Sequence, residues 1–470
     1  MSGQQNWDTV LQFAFLLALL GVSLIIKSNI PFFKRHLVPT ALFGGLVGLV
    51  LGPEVLGWVP FNRHTLEDMV YHFMAIGFIA MALKKRKRKT SENITNTGFA
   101  IVNTYIWQAA LGLGITLLLF FTVMPQLFPN FGLLLPLSFA QGPGQAFATG
   151  QAFELLNPAS KALENGGNIG LSMATFGFLW AVIGGIPYMY ILRRQYKKAK
   201  PKEFVETTSD ASPDVQEHTG RVPITLYLDD LTIQVVLIGI CYLLTFLFLK
   251  GLEALLGPGN TIMPIFWGFQ FMFGTLIAMG ARAILNVLYK KNIVRADYAD
   301  NYLLQRISSA AFDIMIVASV CAVSLTVLGQ YIVPVLILAV VGGVFTMIYS
   351  AKMAKWLYRE EQMEHAIGLY GMWTGTIVTA MALLKEVDPE GKTSVPESLV
   401  LGSGFAMIIG IPLMMIIALP TAAWVENKYW LYIVTFGVFA VYSALCLAGI
   451  AANKKLRAKK ASAEGRTLTQ

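Results

Sequence analysis

The amino-acid sequence predicts an all-α polytopic membrane protein: two inverted five-helix repeats, each with a re-entrant hairpin, plus one extra C-terminal helix. Three observations carry that expectation: an apolar composition, a succession of long apolar runs, and the placing of basic residues between the runs. Of the 470 residues, 55% are hydrophobic and only 13% charged, with a mean hydropathy of +0.60. A soluble domain carries about a quarter charged residues, so this chain lacks the polar groups to wet a surface and needs lipid around it. The net charge of +9 resides in loops between apolar runs. That is the cytoplasmic bias of a membrane protein and argues against a nucleic-acid partner.

Crossing roughly 30 Å of hydrocarbon takes about 20 apolar residues. Runs of that kind fall near 9–26, 37–59, 69–83, 98–124 and 168–192, then near 231–256, 261–281, 308–328, 331–351, 398–424 and 430–452, eleven in all. The run at 69–83 is short and is expected to begin a few residues earlier. Met1 to Val10 is polar, with neither a basic stretch nor a small-residue cleavage site, so no removed leader is expected.

Two further apolar stretches are interrupted: Leu133 to Phe153, by Gln141-Gly142-Pro143-Gly144-Gln145, and His365 to Leu384, by Tyr370-Gly371-Met372-Trp373-Thr374-Gly375. Arms of about 8–10 residues reach only roughly half a bilayer as helix. Each stretch is therefore either a hairpin that enters and leaves on one side or a single broken span. Lys and Arg decide between these. With the N-terminus outside and both stretches re-entrant, 32 of the 36 basic residues are cytoplasmic, leaving Arg63, Lys161, Lys250 and Lys428 outside. If both stretches span, the division is 19 to 17. The positive-inside rule selects hairpins and a cytoplasmic C-terminus.

The first half then holds five spans and a hairpin entering from outside, the second five spans and a hairpin entering from the cytoplasm. A faint echo at an offset of 225 pairs Pro39 with Pro264, Thr149-Gly150 with Thr374-Gly375, and Gly185-Ile186-Pro187 with Gly410-Ile411-Pro412. The expected organisation is a first repeat at 1–196, a polar cytoplasmic linker at 197–230, a second repeat at 231–424, and an extra helix with a basic tail at 425–470.

Paired interruptions in inverted halves point to a midplane binding site of a secondary transporter. Backbone groups freed at a break cannot face hydrocarbon. Helix N-termini favour an anion, and freed carbonyls suit a hard cation such as sodium. Around the first break stand Ser138, Gln141, Gly142, Gly144, Gln145, Thr149, Gly150 and Gln151; around the second, Tyr370, Gly371, Thr374, Gly375, Thr376 and Thr379. Substrate contacts are expected from Ser138, Gln141, Gly142, Gly144, Gln145, Tyr370, Gly371, Thr374 and Gly375. Ion contacts are expected from Thr149, Gly150, Thr376, Thr379 and Asp313, the clearest acid in any span. The bland counterpart is that small residues only let helices pack closely, and that Asp313 reaches the interface beside Arg306. His72 and His365, near span or hairpin ends, read as polar anchors. Asn103, Gln108, Asn168, Gln234 and Gln270 either line a path or bond across helices. Cys241, Cys321 and Cys446 lie in apolar runs and read as packing residues. Enzyme motifs and a nucleotide-binding loop are absent from the sequence, so uphill transport must draw on an ion gradient, with no cofactor.

The run Val38-Pro39-Thr40-Ala41-Leu42-Phe43-Gly44-Gly45-Leu46 resembles the second span of bacterial glutamate:sodium symporters. So do Gly142-Pro143-Gly144, Ala174-Thr175-Phe176-Gly177 with Gly184-Gly185, and Gly371 and Gly375 followed by Thr379-Ala380. The resemblance runs to about residue 424. It implies sodium-coupled uptake of glutamate, hairpins meeting at the centre, and a homodimer working by an elevator-like motion in the inner (plasma) membrane. The chain departs from the family at Gln141-Gly142-Pro143-Gly144-Gln145, where Gly-Gly-His-Gly-Thr-Gly is usual, and at Gly371-Met372-Trp373-Thr374-Gly375, where Gly-Phe-Gly-Leu-Gly is usual. Both departures change the pocket, so another small organic anion is an alternative substrate. A di- or tricarboxylate carrier, proton coupling through Asp313, and a passive channel are the rival readings.

Overall fold

The computed structural model describes residues 2–30, 39–84, 92–156, 163–199, 224–257, 263–293, 298–388 and 393–463. Most of the Lys/Arg-rich loop after α3, Lys161, the bulk of the linker between the halves and the end of the basic tail lie outside the described residues. All described regular elements are helical. The first half contains α1 (Ser2–Asn29), α2 (Thr40–Leu51), α3 (Arg63–Leu83) and α4 (Glu92–Thr122). A 3₁₀ turn (Pro129–Leu133), α5 (Leu134–Phe139) and α6 (Pro143–Leu155) follow. The half closes with α7 (Gly166–Leu179), a π-helical turn (Trp180–Gly184) and α8 (Gly185–Ala199).

The second half is again all helical among the described residues. It contains α9 (Ile224–Leu256), α10 (Met263–Gly268) continuing into α11 (Gln270–Lys290), α12 (Asn301–Cys321) and α13 (Leu325–Leu357). The broken segment is α14 (Gln362–Thr374) with α15 (Ile377–Leu384). Then come α16 (Val395–Ile409), α17 (Ile411–Ile416) and α18 (Ala418–Val425), and last α19 (Trp430–Ala463).

Among the described residues nine helices are long and apolar enough to cross a membrane, and a tenth candidate, α16 with α17–α18, is bent by 52°. The eleventh expected run, at 37–59, is corrected. It yields only α2, whose 12 residues rise about 18 Å as helix, well short of the hydrocarbon thickness. Gly52 and Pro53 stop the helix there, and the rest of that run is turn and irregular chain. The third helix of each half starts on a side-chain cap. Asn62 accepts from the His64 and Thr65 amides, and Asp300 accepts from the Leu303 amide at 2.8 Å. Such caps contribute about 1 kcal/mol each.

The chain divides into two compact units, each drawing on both halves of the sequence. The first comprises Met1–Arg86, Pro143–Thr175 and Asp214–Gln330. In it α12 packs against α2 and α3, and α11 against α3 and α9. Ser308 donates to the Gly77 carbonyl at 3.0 Å, and Cys321 packs against Gly45 and Gly48. The second unit comprises Lys87–Gly142, Phe176–Pro213 and Tyr331–Gln470. Its centre is α4, packed against α16, α19 and the 3₁₀ turn.

The five polar residues named from the sequence each bond to another segment of the chain, in a helix or in the connection beside one. Asn103 joins Tyr349 and Ser443, Gln108 joins Thr346 and the Trp373 carbonyl, and Asn168 ties the Ala322 carbonyl and Ser324 amide. Gln234 holds Tyr298 and Asp300, and Gln270 holds Tyr71 and Tyr242. Hydrocarbon offers these groups no other partner. His72 and His365 serve as anchors: His72 meets Tyr242, while His365 contacts the Glu361 carbonyl and Ser398 and stacks on Tyr358.

Candidate functional site

The second broken segment is a packed helical hairpin. Its break is Gly375-Thr376 alone, so the interruption expected over 370–375 is corrected: Tyr370 to Thr374 complete the last turn of α14. Gly371 stays helical because α15 lies directly against it. A Cβ there would sit 2.8 Å from the Ala380 Cα, so only glycine admits this approach. Thr379 closes the break, accepting from the Thr376 amide at 2.8 Å and donating to the Gly371 carbonyl at 2.7 Å. Gln108 of α4 donates to the Trp373 carbonyl at 3.0 Å. The Gly371 and Trp373 carbonyls in the last turn of α14 thus accept donors from outside that helix.

The remaining side chains of this hairpin are held equally firmly. Thr374 donates back to the Tyr370 carbonyl at 2.7 Å. Tyr370 donates at 2.6 Å to the carbonyl of Trp180, in the π-helical turn. A π turn leaves a carbonyl out of the regular ladder, and Tyr370 supplies the missing donor. The base of the hairpin is polar, with Glu361, Glu364, His365, Lys385 and Asp388. Burial pushes the Glu364 carboxyl above its ordinary range, with Glu361 and Asp388 adding to the effect.

The first broken segment is interrupted over Ala140, Gln141 and Gly142; Pro143, Gly144 and Gln145 already open α6, narrowing the expected break at 141–145. Gly142 has φ +94°, a conformation that L residues with a Cβ adopt only under strain. Ser138 turns back to the Leu134 carbonyl at 2.6 Å. The two breaks come together at Gly142, where a Cβ would lie 3.4 Å from the Thr376 methyl group. Phe139 and the Thr374 carbonyl both lie against Gly177, and Phe178 flanks Gly375. The second unit therefore gathers Gly142, Thr374, Gly375 and Thr376 around Gly177-Phe178, and carries Ser138, Gln141, Tyr370, Gly371 and Thr379 on the same two segments.

The other named residues belong to the first compact unit. Gly144 packs on Met74, and Gly150 meets Gly166 backbone to backbone. Thr149-Gly150 is therefore mid-helix, whereas Thr374-Gly375 borders a break, so this echo marks different places in the two halves. Gln145 Oε1 and Thr149 Oγ1, one turn apart on α6, are buried without a hydrogen-bond partner among the described residues. The α6 helix packs against α3, α10 and α12, and α12 carries Asp313. Asp313 interacts electrostatically with Lys27 of α1, while Arg306 lies over the Tyr302 ring.

Residues 5–387 match the sodium/glutamate symporter family. The chain belongs to that family. No individually curated protein matches it. The sodium/glutamate symporter match takes in both broken segments and ends at residue 387, so the bent helices at 395–425 and α19 lie beyond it, earlier than the limit near 424 that the resemblance suggested. A sodium/glutamate symporter with nine span-length helices among the described residues is a multi-pass membrane transporter. The family implies glutamate as substrate, sodium as coupling ion and lipid as surroundings. Trp373 and Gly177 are site residues not singled out as such from the sequence. In the sequence Trp373 stands only within the interruption from Tyr370 to Gly375, and Gly177 only as part of the Ala174-Thr175-Phe176-Gly177 motif.

Proposed function

We propose that this chain accumulates glutamate, or a closely related small organic anion, by sodium symport across the inner (plasma) membrane. The observation that carries the reading is the meeting of two helix breaks, Gly142 against Thr376, in a chain of the sodium/glutamate symporter family. The N-terminus of α15 lies at this meeting point, and its dipole favours an anion. Ser138, Gln141, Gly142, Gly144, Gln145, Tyr370, Gly371, Thr374 and Gly375 are assigned to the substrate side. Sodium prefers oxygen ligands, and the positions assigned to it are Thr149, Gly150, Asp313, Thr376 and Thr379; Thr149 Oγ1 is a buried oxygen with no hydrogen-bond partner among the described residues.

The 32-to-4 division of basic residues supports inverted repeats, re-entrant hairpins, an external N-terminus and a cytoplasmic C-terminus. The polar base of the second hairpin, around Glu364 and Lys385, suits entry and exit on one side. The family resemblance carries the proposal of an elevator-like motion and a homodimeric assembly. Uptake of labelled glutamate, aspartate and dicarboxylates into proteoliposomes tests this reading. Accumulation of glutamate is expected with an inward sodium gradient and not with potassium or choline. Equal accumulation under a proton gradient alone would contradict sodium symport and move the coupling to Asp313.

A further inference from the structure

The hairpin tips carry no cationic side chain: neither 129–155 nor 362–384 contains a lysine or arginine. On these two segments themselves, only neutral donors and backbone amides are available to an anionic substrate. One such donor is the indole of Trp373, two residues before the break and fully buried. Its Nε1–H has no hydrogen-bond partner among the described residues, and neither does Oε1 of the equally buried Gln108. Both residues lie in the second compact unit.

The orientation of the Gln108 amide is fixed by its surroundings. Nε2 donates to Thr346 Oγ1 at 2.9 Å and to the Trp373 carbonyl at 3.0 Å. Thr346 Oγ1 spends its own proton on the Gly342 carbonyl at 2.7 Å. A turned amide would set its oxygen against two acceptors, so Oε1 must point away from both. The Trp373 ring is likewise held, beside Tyr349 at 5.8 Å, and Tyr349 is fixed by Asn103 at 2.6 Å. An acceptor and a donor are thus immobilised, buried and unpaired next to one helix break. Native interiors rarely leave such groups unpaired unless a ligand or ordered water completes them.

We propose that Gln108 and Trp373 form a recognition site for an α-amino acid, Trp373 Nε1–H donating to a carboxylate oxygen and Gln108 Oε1 accepting from the ammonium group. This assignment rests on the transport reading above and adds to it the requirement for an amine. The test compares glutamate with glutarate, which keeps both carboxylates and lacks the ammonium group. Full-length protein in proteoliposomes gives the KM for glutamate and the inhibition constant for glutarate, with melting temperature recorded for each variant.

The wild type should prefer glutamate by at least about tenfold, the scale of one hydrogen bond to a charged group. Trp373→Phe should weaken both ligands about tenfold and leave their ratio unchanged. Gln108→Met should weaken glutamate about tenfold and glutarate little, bringing the ratio towards one. Trp373→Phe preserves the carbonyl that Gln108 binds and decides alone if Gln108→Met does not insert. Variants with lowered melting temperature but wild-type constants for both ligands would overturn the assignment and leave the pair as the seat of a structural water. A wild type that accumulates glutarate but not glutamate would overturn the substrate reading together with it.

Discussion

The two broken segments solve one problem differently. In the second, α14 and α15 lie in one compact unit and close their own break, with Gly371 against Ala380 and Thr379 bonding both strands of the turn. In the first, the segment before the break belongs to one compact unit and α6 to the other. Its break relies on the positive φ of Gly142 and on Pro143, which needs no amide partner at the start of a helix. The self-contained hairpin should behave as a unit whose stability depends on its own packing. The divided segment should be sensitive mainly at its one strained residue.

The largest effect is expected from Gly371→Val. Branched carbons placed within 3 Å of the Ala380 backbone force α14 and α15 apart, a cost of about 3 kcal/mol. Folded yield and transport should fall together, measured by thermal melting and sodium-driven uptake. Gly142→Val comes next, with about 2 kcal/mol of backbone strain for a β-branched residue at positive φ. Here uptake per folded molecule should fall further than yield. Comparable losses of yield for both variants would erase the distinction between the segments. Thr379→Val keeps the shape but removes the bonds to Thr376 and Gly371, for about 1.5 kcal/mol by melting. Thr374→Ala is the mildest, about 0.5 kcal/mol, because its hydroxyl only turns back to Tyr370 one turn earlier. A large rise in KM from Thr374→Ala would show that this hydroxyl leaves Tyr370 for the substrate.

Much of this fold is legible in the sequence. Hydropathy finds the long helices because composition and length are the whole requirement for crossing lipid. It misjudges α2, since Gly52-Pro53 ends the helix while the residues beyond stay apolar. The breaks are located to within a few residues but drawn too wide, because glycine marks both helix interruption and close helix contact. Gly371 and Gly150 are of the second kind. The candidate site is less legible. That Gly142 meets Thr376, that Tyr370 serves the π turn at Trp180, and that Gln108 reaches Trp373 depend on pairings between segments 190 to 265 positions apart. Nothing in the local pattern of α4 separates Gln108 from Asn103, which also bonds across helices.

The central claim is that the two breaks form one site through which transport runs. Its most direct test is a pair of cysteines, Gly142→Cys with Thr376→Cys, in protein whose three native cysteines are replaced by alanine. Sulfur atoms on residues this close (3.4 Å from the Cβ position to the Thr376 methyl) fall within the reach of a disulfide. Oxidation should cross-link the pair and stop whatever sodium-driven glutamate uptake the reduced pair retains with the strain at position 142, and reduction should restore that reference level, while either single variant is insensitive to oxidation. A pair that does not cross-link, or uptake undiminished with the cross-link in place, would contradict the account.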